Sequence, residues 1–169
     1  MVMLYCFYLK PCNARVVVLF NIRVLKKLNT LYSYFILDQQ DKTIILTISY
    51  IIKSNFIILT LLIISISIIE SNINFIVVKI QYRCNKVGLL VVYSCISMII
   101  KYFQYVQYIN LEIRVSNLPS FYLHSYYGYQ LFNYRNDYYQ SPRENALLLS
   151  LGKVRSYNYL RCLYLIEAK

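Results

Sequence analysis

The sequence is short of several things. It has no tryptophan, three glycines, three prolines, one histidine, and only 7 Asp and Glu in 169 residues. So few glycines leave no glycine-rich loop. His124, alone among few carboxylates, offers neither a general-acid/base constellation nor a cluster of metal ligands. An enzyme is therefore not expected, and neither a cofactor nor a metal is called for. The five cysteines (Cys6, Cys12, Cys84, Cys95 and Cys162) form no C-x-x-C pair and are odd in number, which argues against zinc and against a disulfide framework. The opening residues, MVMLYCFYLKPCNAR, lack the Ser and repeated Arg of an amphipathic presequence and lack a secretory cleavage site.

What is present is apolar and aromatic. Hydrophobic residues make up 59% of the chain, enough for a sizeable core, and there are 20 tyrosines. Residues with A- and T-rich codons (Ile, Tyr, Asn, Phe, Lys) abound, while alanine occurs only at 14, 146 and 168. That bias suggests an AT-rich genome of the mitochondrial kind. A mitochondrial, organelle-encoded and matrix-located protein is the expectation, since such a protein needs no import signal.

The charge is lopsided, 18 Lys and Arg giving a net +11. Residues 1–53 carry +5, residues 54–80 carry zero and residues 81–169 carry +6. Two basic arms around an apolar middle suit a protein that grips a polyanion at two places. Tyrosines at 122, 126, 127, 129, 134, 138 and 139 lie among Arg135 and Arg143, an interleaving that can stack on unpaired bases.

The apolar middle, near 54–78, is long enough to raise a membrane span as the alternative, which would make the chain a small inner-membrane subunit of a respiratory complex. The alternation Ile64-Ser65-Ile66-Ser67-Ile68, the turn residues Ser71-Asn72 and the face Ile76, Val78, Ile80, Tyr82 instead predict a β-hairpin, so membrane association is not expected. Val16 to Leu31 has helical spacing, Tyr34 to Leu37 reads as a short strand, and Asp41 is placed to cap a buried helix over 43–52. Leu89–Tyr93 or Ser97–Tyr102 reads as a further strand. Ser141-Pro142-Arg143-Glu144 has the form of a capping box with proline at the first helical position, followed by a helix to Leu151 and a stop at Gly152. The N-terminus of that helix would offer its N–H groups to a phosphate.

The order of these pieces resembles the bacterial-type small-subunit ribosomal protein S-eight family, in a divergent mitochondrial form. Leu25-Lys26-Lys27, Asp41-Lys42-Thr43 and Ile51-Ile52-Lys53-Ser54-Asn55-Phe56-Ile57 are similar to its first blocks. Ile100-Lys101-Tyr102 and Ile113-Arg114-Val115-Ser116-Asn117-Leu118-Pro119 are similar to its middle. Ser141-Pro142-Arg143-Glu144, Gly152-Lys153-Val154 and Arg161–Ile166 are similar to its end. The family's S-T-S-K-G contact falls on Tyr134–Tyr138, where its serines and glycine are lost. The resemblance implies an α+β fold, with an N-terminal extension (1–15), an N-terminal α/β domain (16–102) of helix, strand, helix and hairpin, and a β-rich RNA-binding domain with one short helix (103–169). It implies a structural constituent of the small ribosomal subunit that binds the central domain of its rRNA and aids assembly, beside neighbouring ribosomal proteins and without a small-molecule substrate. Lys26, Lys27, Lys42, Arg114, Ser116, Arg135, Asn136, Ser141, Arg143, Lys153 and Arg155 are then the expected RNA contacts.

Overall fold

Long runs of β-branched residues decide the first half of the fold. The computed structural model describes residues 20–22, 31–38, 43–52 and 55–152. Five strands come first: β1 (Phe20–Ile22), β2 (Leu31–Asp38), β3 (Thr43–Ile52), β4 (Asn55–Ile66) and β5 (Glu70–Val78). Each pairs antiparallel with the next. A 3-10 turn (Ile80–Tyr82) leads into α1 (Val87–Tyr102), and β6 (Tyr108–Arg114) returns parallel to β5. Then come α2 (Leu118–Tyr126), β7 (Gln130–Gln140) and β8 (Arg143–Gly152). The described strands form one sheet in the order β1-β2-β3-β4-β5-β6-β8-β7.

Both helices pack on one face of this sheet. Ile44, Leu62, Ile64, Ile73, Ile109, Leu111, Leu149 and Leu151 are buried against Leu90, Val91, Cys95, Met98 and Ile99 of α1. Tyr127, just past α2, donates from its hydroxyl to the Leu89 carbonyl at 2.7 Å and ties the two helices together. Asn117 caps α2 by accepting from the Ser120 N–H at 3.2 Å, with proline in the first turn. Gly128, at φ +84, stops it, as a residue without Cβ can in left-handed backbone.

This is not the helix-led α+β arrangement expected from the sequence, and the departures have physical causes. Of the helix expected over 16–31, the described residues Phe20–Ile22 are strand, paired with Leu31–Ser33. The helix expected over 43–52 is β3, seven of whose ten residues are Ile or Thr. Stiff β-branched side chains favour a pleated surface, and pairing with β2 and β4 satisfies the backbone that Asp41 alone would have started into a helix. The converse error falls on Leu89–Tyr93 and Ser97–Tyr102, which lie in α1. Nine of its sixteen residues are buried, including the consecutive run Leu90, Val91 and Val92, so it shows no polar stripe for a periodicity search to find.

The hairpin of the apolar middle is present as β4 and β5, which removes the membrane-span alternative. Among the described residues no helix is long and apolar enough to cross a membrane. Its turn lies at Ser67–Ile69, where the Ser67 N–H donates to the Glu70 carbonyl at 2.8 Å, so Ser71 and Asn72 are strand residues. The expected closing strand Arg161–Ile166 lies outside the described residues.

The expected helix after Ser141 is the strand β8. Its Glu144 does not reach back to the Ser141 N–H as a capping box requires. Instead its carboxylate accepts from the Ser116 N–H and, at 3.0 Å, from the Ser116 hydroxyl. A tertiary partner has taken the group that the local motif would have used, and β6 and β7 flank the strand on either side.

Candidate functional site

The parallel pair β5 and β6 is joined only at its beginning. Four matched positions, Glu70–Ile73 against Tyr108–Leu111, connect the two strands. Beyond them β5 pairs on with β4 alone and β6 with β8 alone. The strands part, and the inward backbone groups of residues 74–78 and 112–114 face a gap without a strand partner. Such backbone is a template for an extended ligand with amide groups of its own. Ligands in open sheets bind at the carboxyl ends of parallel strands, where this gap opens. A β-bulge sharpens it. Ile63 is matched with Phe75 and Ile64 with Ile73, so Asn74 is the extra residue. Burial changes phase across it, from Ser71 and Ile73 to Ile76 and Val78. Bulges of this kind re-aim backbone at functional positions.

The N-terminus of α1 follows at the end of β5. Its cap, Lys86, has left-handed backbone (φ 60, ψ 4) and makes no side-chain cap hydrogen bond, and the first turn holds no acidic residue. Cys84, also at φ 60, makes a second left-handed non-glycine residue within three positions. Each such residue costs roughly 1–2 kcal/mol, and strain of this kind persists where function holds it. The N–H groups of Val87, Gly88 and Leu89 have no acceptor inside the helix and carry the positive end of its dipole. Lys79, Arg83 and Lys86 precede them along the chain, all exposed. Arg83 donates from Nε to the Val78 carbonyl at 3.1 Å, leaving the rest of its guanidinium outward. Among the described residues no carboxylate pairs with any of the three. Backbone and side chains of this kind are together suited to receive an anion. Gly88 is packed close, and a Cβ there would lie 3.4 Å from Leu123.

Of the residues expected to bind RNA, the six that are described stand elsewhere, and five of them are already engaged. Arg114 Nη1 lies 3.3 Å from Glu144, its Nη1 and Nη2 donate to the Pro142 and Ser141 carbonyls at 3.1 Å, and it stacks 4.1 Å over the Tyr139 ring. Arg135 pairs with Glu112 at 2.8 Å and lies over Tyr138. Arg143 grips Asp137 with two bonds, at 2.8 and 2.6 Å. Ser116 serves Glu144, Ser141 offers only its carbonyl to Arg114, and Asn136 is exposed on β7. Lys26, Lys27, Lys42, Lys153 and Arg155 lie outside the described residues. The structure thus gathers Arg114, Arg135 and Arg143 onto β6, β7 and β8, with Ser116 and Ser141 just outside the strands; the arginines and Ser116 are partners of carboxylates, and Ser141 is a partner of Arg114. The Ser116 N–H, then its hydroxyl and Arg114, hold the Glu144 carboxyl below the usual carboxylate range. The hydrogen bond to Glu112 makes the Tyr138 phenol harder to ionise.

Lys79, Arg83, Lys86 and Gly88 were missed by sequence reasoning. A signal was there: no acidic residue occurs between Glu70 and Glu112, and three basic residues and a glycine stand just ahead of the apolar run of α1.

No protein-family model matches the sequence, and no curated protein does. Solved structures do match in fold. The ribosomal-protein-S18-alanine N-acetyltransferase from Escherichia coli superposes with a TM-score of 0.59 at 20% identity, over 68% of this chain and 72% of that one. A GNAT family acetyltransferase from Elizabethkingia anophelis, solved with acetyl-CoA bound, gives 0.57 at 13%, over 66% and 76%. The spermidine/spermine N-acetyltransferase SpeG from Vibrio cholerae, in complex with manganese ions, gives 0.61 at 9%, over 71% of each. The chain therefore has the fold of the GNAT acetyltransferases. That overturns the resemblance to the S-eight family and, with it, the ribosomal role and the rRNA and ribosomal-protein partners. The solved proteins sharing this fold are acetyltransferases, which stands against the expectations of a non-enzyme and of no small-molecule substrate.

Proposed function

We propose that this protein is an acyltransferase that takes its acyl group from a coenzyme A thioester. One observation carries the reading: two parallel strands part after Ile73 and Leu111, and an uncapped, acid-free helix N-terminus stands at the head of the opening. The fold likeness to an acetyltransferase solved with acetyl-CoA bound supports it.

The residues present fit that ligand. Its diphosphate would lie on the N–H groups of Val87, Gly88 and Leu89, with Arg83 and Lys86 supplying charge. Its amide-bearing arm would run into the gap as a short added strand against the free backbone of residues 74–78. The thioester supplies an activated acyl carbon, which an acceptor nucleophile attacks as the carbon–sulfur bond breaks. Glu112 comes directly after the last matched residue of β6, where the strands part, and we assign it the proton of that nucleophile. Arg135 at 2.8 Å and the Tyr138 hydroxyl hold its carboxylate in place. His124 is excluded from that role. It is fully buried, and desolvation lowers its pKa to about 4. Cys95 is excluded as a nucleophile, because burial pushes its thiol up to about 12.

Titration calorimetry of the full chain with coenzyme A and with acetyl-CoA tests the reading. Saturable binding of both is expected, with adenosine diphosphate binding more weakly because it cannot enter the gap. A folded protein that binds neither thiol nor thioester overturns it.

A further inference from the structure

The left-handed backbone at Cys84 and Lys86, just ahead of α1, is strained, and such strain persists only where the surrounding structure holds it. Local bonds hold the first part of the loop. Arg83 donates to the Val78 carbonyl, and the Asn85 side-chain amide donates to the Arg83 carbonyl at 3.2 Å. Lys86 is held differently. Its side chain makes no cap hydrogen bond, and its carbonyl accepts from the Leu90 N–H at 3.0 Å. That N–H belongs to the peptide unit joining Leu89 to Leu90. The carbonyl of the same unit accepts from the Tyr127 hydroxyl at 2.7 Å. A peptide unit is planar and rigid. This one is therefore pinned at both ends, at one by the strained cap and at the other by a side chain 38 residues away.

Tyr127 is itself firmly placed. Its N–H donates to the His124 carbonyl at 2.9 Å, its side chain is buried, and its ring meets that of Tyr126 edge-on, 5.3 Å between centroids. A phenylalanine would fill the same space, but only the hydroxyl reaches the Leu89 carbonyl. One turn earlier on α2, Leu123 packs over Gly88, 3.4 Å from where a Cβ would stand. The end of α2 thus bears on the first turn of α1 at two points.

We infer that Tyr127 is a positioning residue for the anion-receiving turn of α1. By fixing the Leu89–Leu90 peptide it keeps Lys86 in its left-handed cap and the N–H groups of Val87, Gly88 and Leu89 aimed together. The inference rests on the reading of that turn as the seat of the diphosphate. It adds that diphosphate affinity is set in part from α2, by a group that does not touch the ligand. Donors already oriented lose little freedom on binding, whereas donors that must first be ordered bind more weakly.

Calorimetry of the full chain with coenzyme A and, separately, with inorganic pyrophosphate tests this. Tyr127→Phe should weaken both by the same factor, about five- to tenfold, the scale of one buried hydrogen bond. Equal factors locate the loss at the diphosphate, which is all that the two probes share. Ile99→Val is the control for stability alone. It trims a buried side chain about three turns further along the same helix. It should lower the urea midpoint by a similar amount and leave both affinities within about twofold of the parent. Parental affinities in Tyr127→Phe overturn the inference and leave the hydroxyl a structural tie between helices. A loss for coenzyme A without one for pyrophosphate overturns it too, as does an equal loss in Ile99→Val. A parent chain that binds pyrophosphate but not coenzyme A sinks the acyltransferase reading instead, and the pyrophosphate factor then decides the role of Tyr127. A parent chain that binds neither overturns both. If Tyr127→Phe does not fold, Leu123→Ala is read in its place by the same outcomes.

Discussion

Arg114, Arg135 and Arg143 each end on a carboxylate, whereas Lys79, Arg83 and Lys86, on the loop between β5 and α1, end on none among the described residues. Both groups count equally toward the basic surplus, yet only the second can receive an anion without first breaking a bond. In the sheet network the arginines are consumed in holding β6, β7 and β8 together. In the loop, backbone dipole and side-chain charge are of the same sign, and no described carboxylate pairs with them. Net charge therefore said that an anion was wanted. The pairing of each cation says where it would go.

The largest expected effect tests whether the network is purely structural. Glu112→Gln keeps the shape and a hydrogen bond to Arg135 but cannot take a proton. Turnover with acetyl-CoA and an acceptor amine should fall about 100- to 1,000-fold with coenzyme A affinity unchanged. A variant with normal turnover removes Glu112 from the chemistry and leaves it in the network alone.

Next comes the interior between the two regions. His124 is buried on α2, its ring 5.1 Å from that of Tyr129, and neither ring nitrogen has a hydrogen-bond partner. The unfolded chain protonates this histidine near 6.5, the folded chain only near 4. Between those values the unfolded state binds more proton, so its contribution is complete above 6.5 and is lost as the pH falls toward 4. The loss should approach about 3 kcal/mol. Urea midpoints measured from pH 7 to pH 4 should fall for the parent chain. They should fall less for His124→Phe, which cannot take up the proton.

Charge reversal in the loop, Arg83→Glu with Lys86→Glu, should weaken coenzyme A binding by roughly 30- to 100-fold, the scale of one or two charge-assisted contacts. Arg143→Ala should change it less than about twofold. Equal losses in calorimetry would erase the distinction between paired and unpaired cations. The smallest effect is on stability. Arg143→Ala removes an exposed pair and should cost at most about 1 kcal/mol in chemical denaturation.

Some of the fold was legible in the sequence, and the failures share a cause. The alternation of Ile64, Ser65 and Ile66 placed a strand of β4 correctly, because period-two patterning reports a half-buried strand directly. Tyr34 to Leu37, expected as a short strand, lies inside β2. Apolar runs without a polar stripe carry no period to read, so the runs that became β3 and α1 were exchanged for one another. The capping box at Ser141 was a sound local signal that lost to Ser116, a residue 28 positions away from Glu144. The loop at Arg83 was overlooked because Lys86 takes the left-handed position where glycine would have marked a turn.

The sequence by itself determined the quantities that need no neighbour: a large apolar store, a strand-forming middle, a basic surplus and an acid-free stretch from 71 to 111. Tertiary structure alone decided the rest. Which cations were free depended on which carboxylates folded beside them. Whether an apolar run became β3 or α1 depended on what covered it. The opening between β5 and β6 exists because each strand pairs onward with a different neighbour, a fact of sheet order that no local stretch of chain contains.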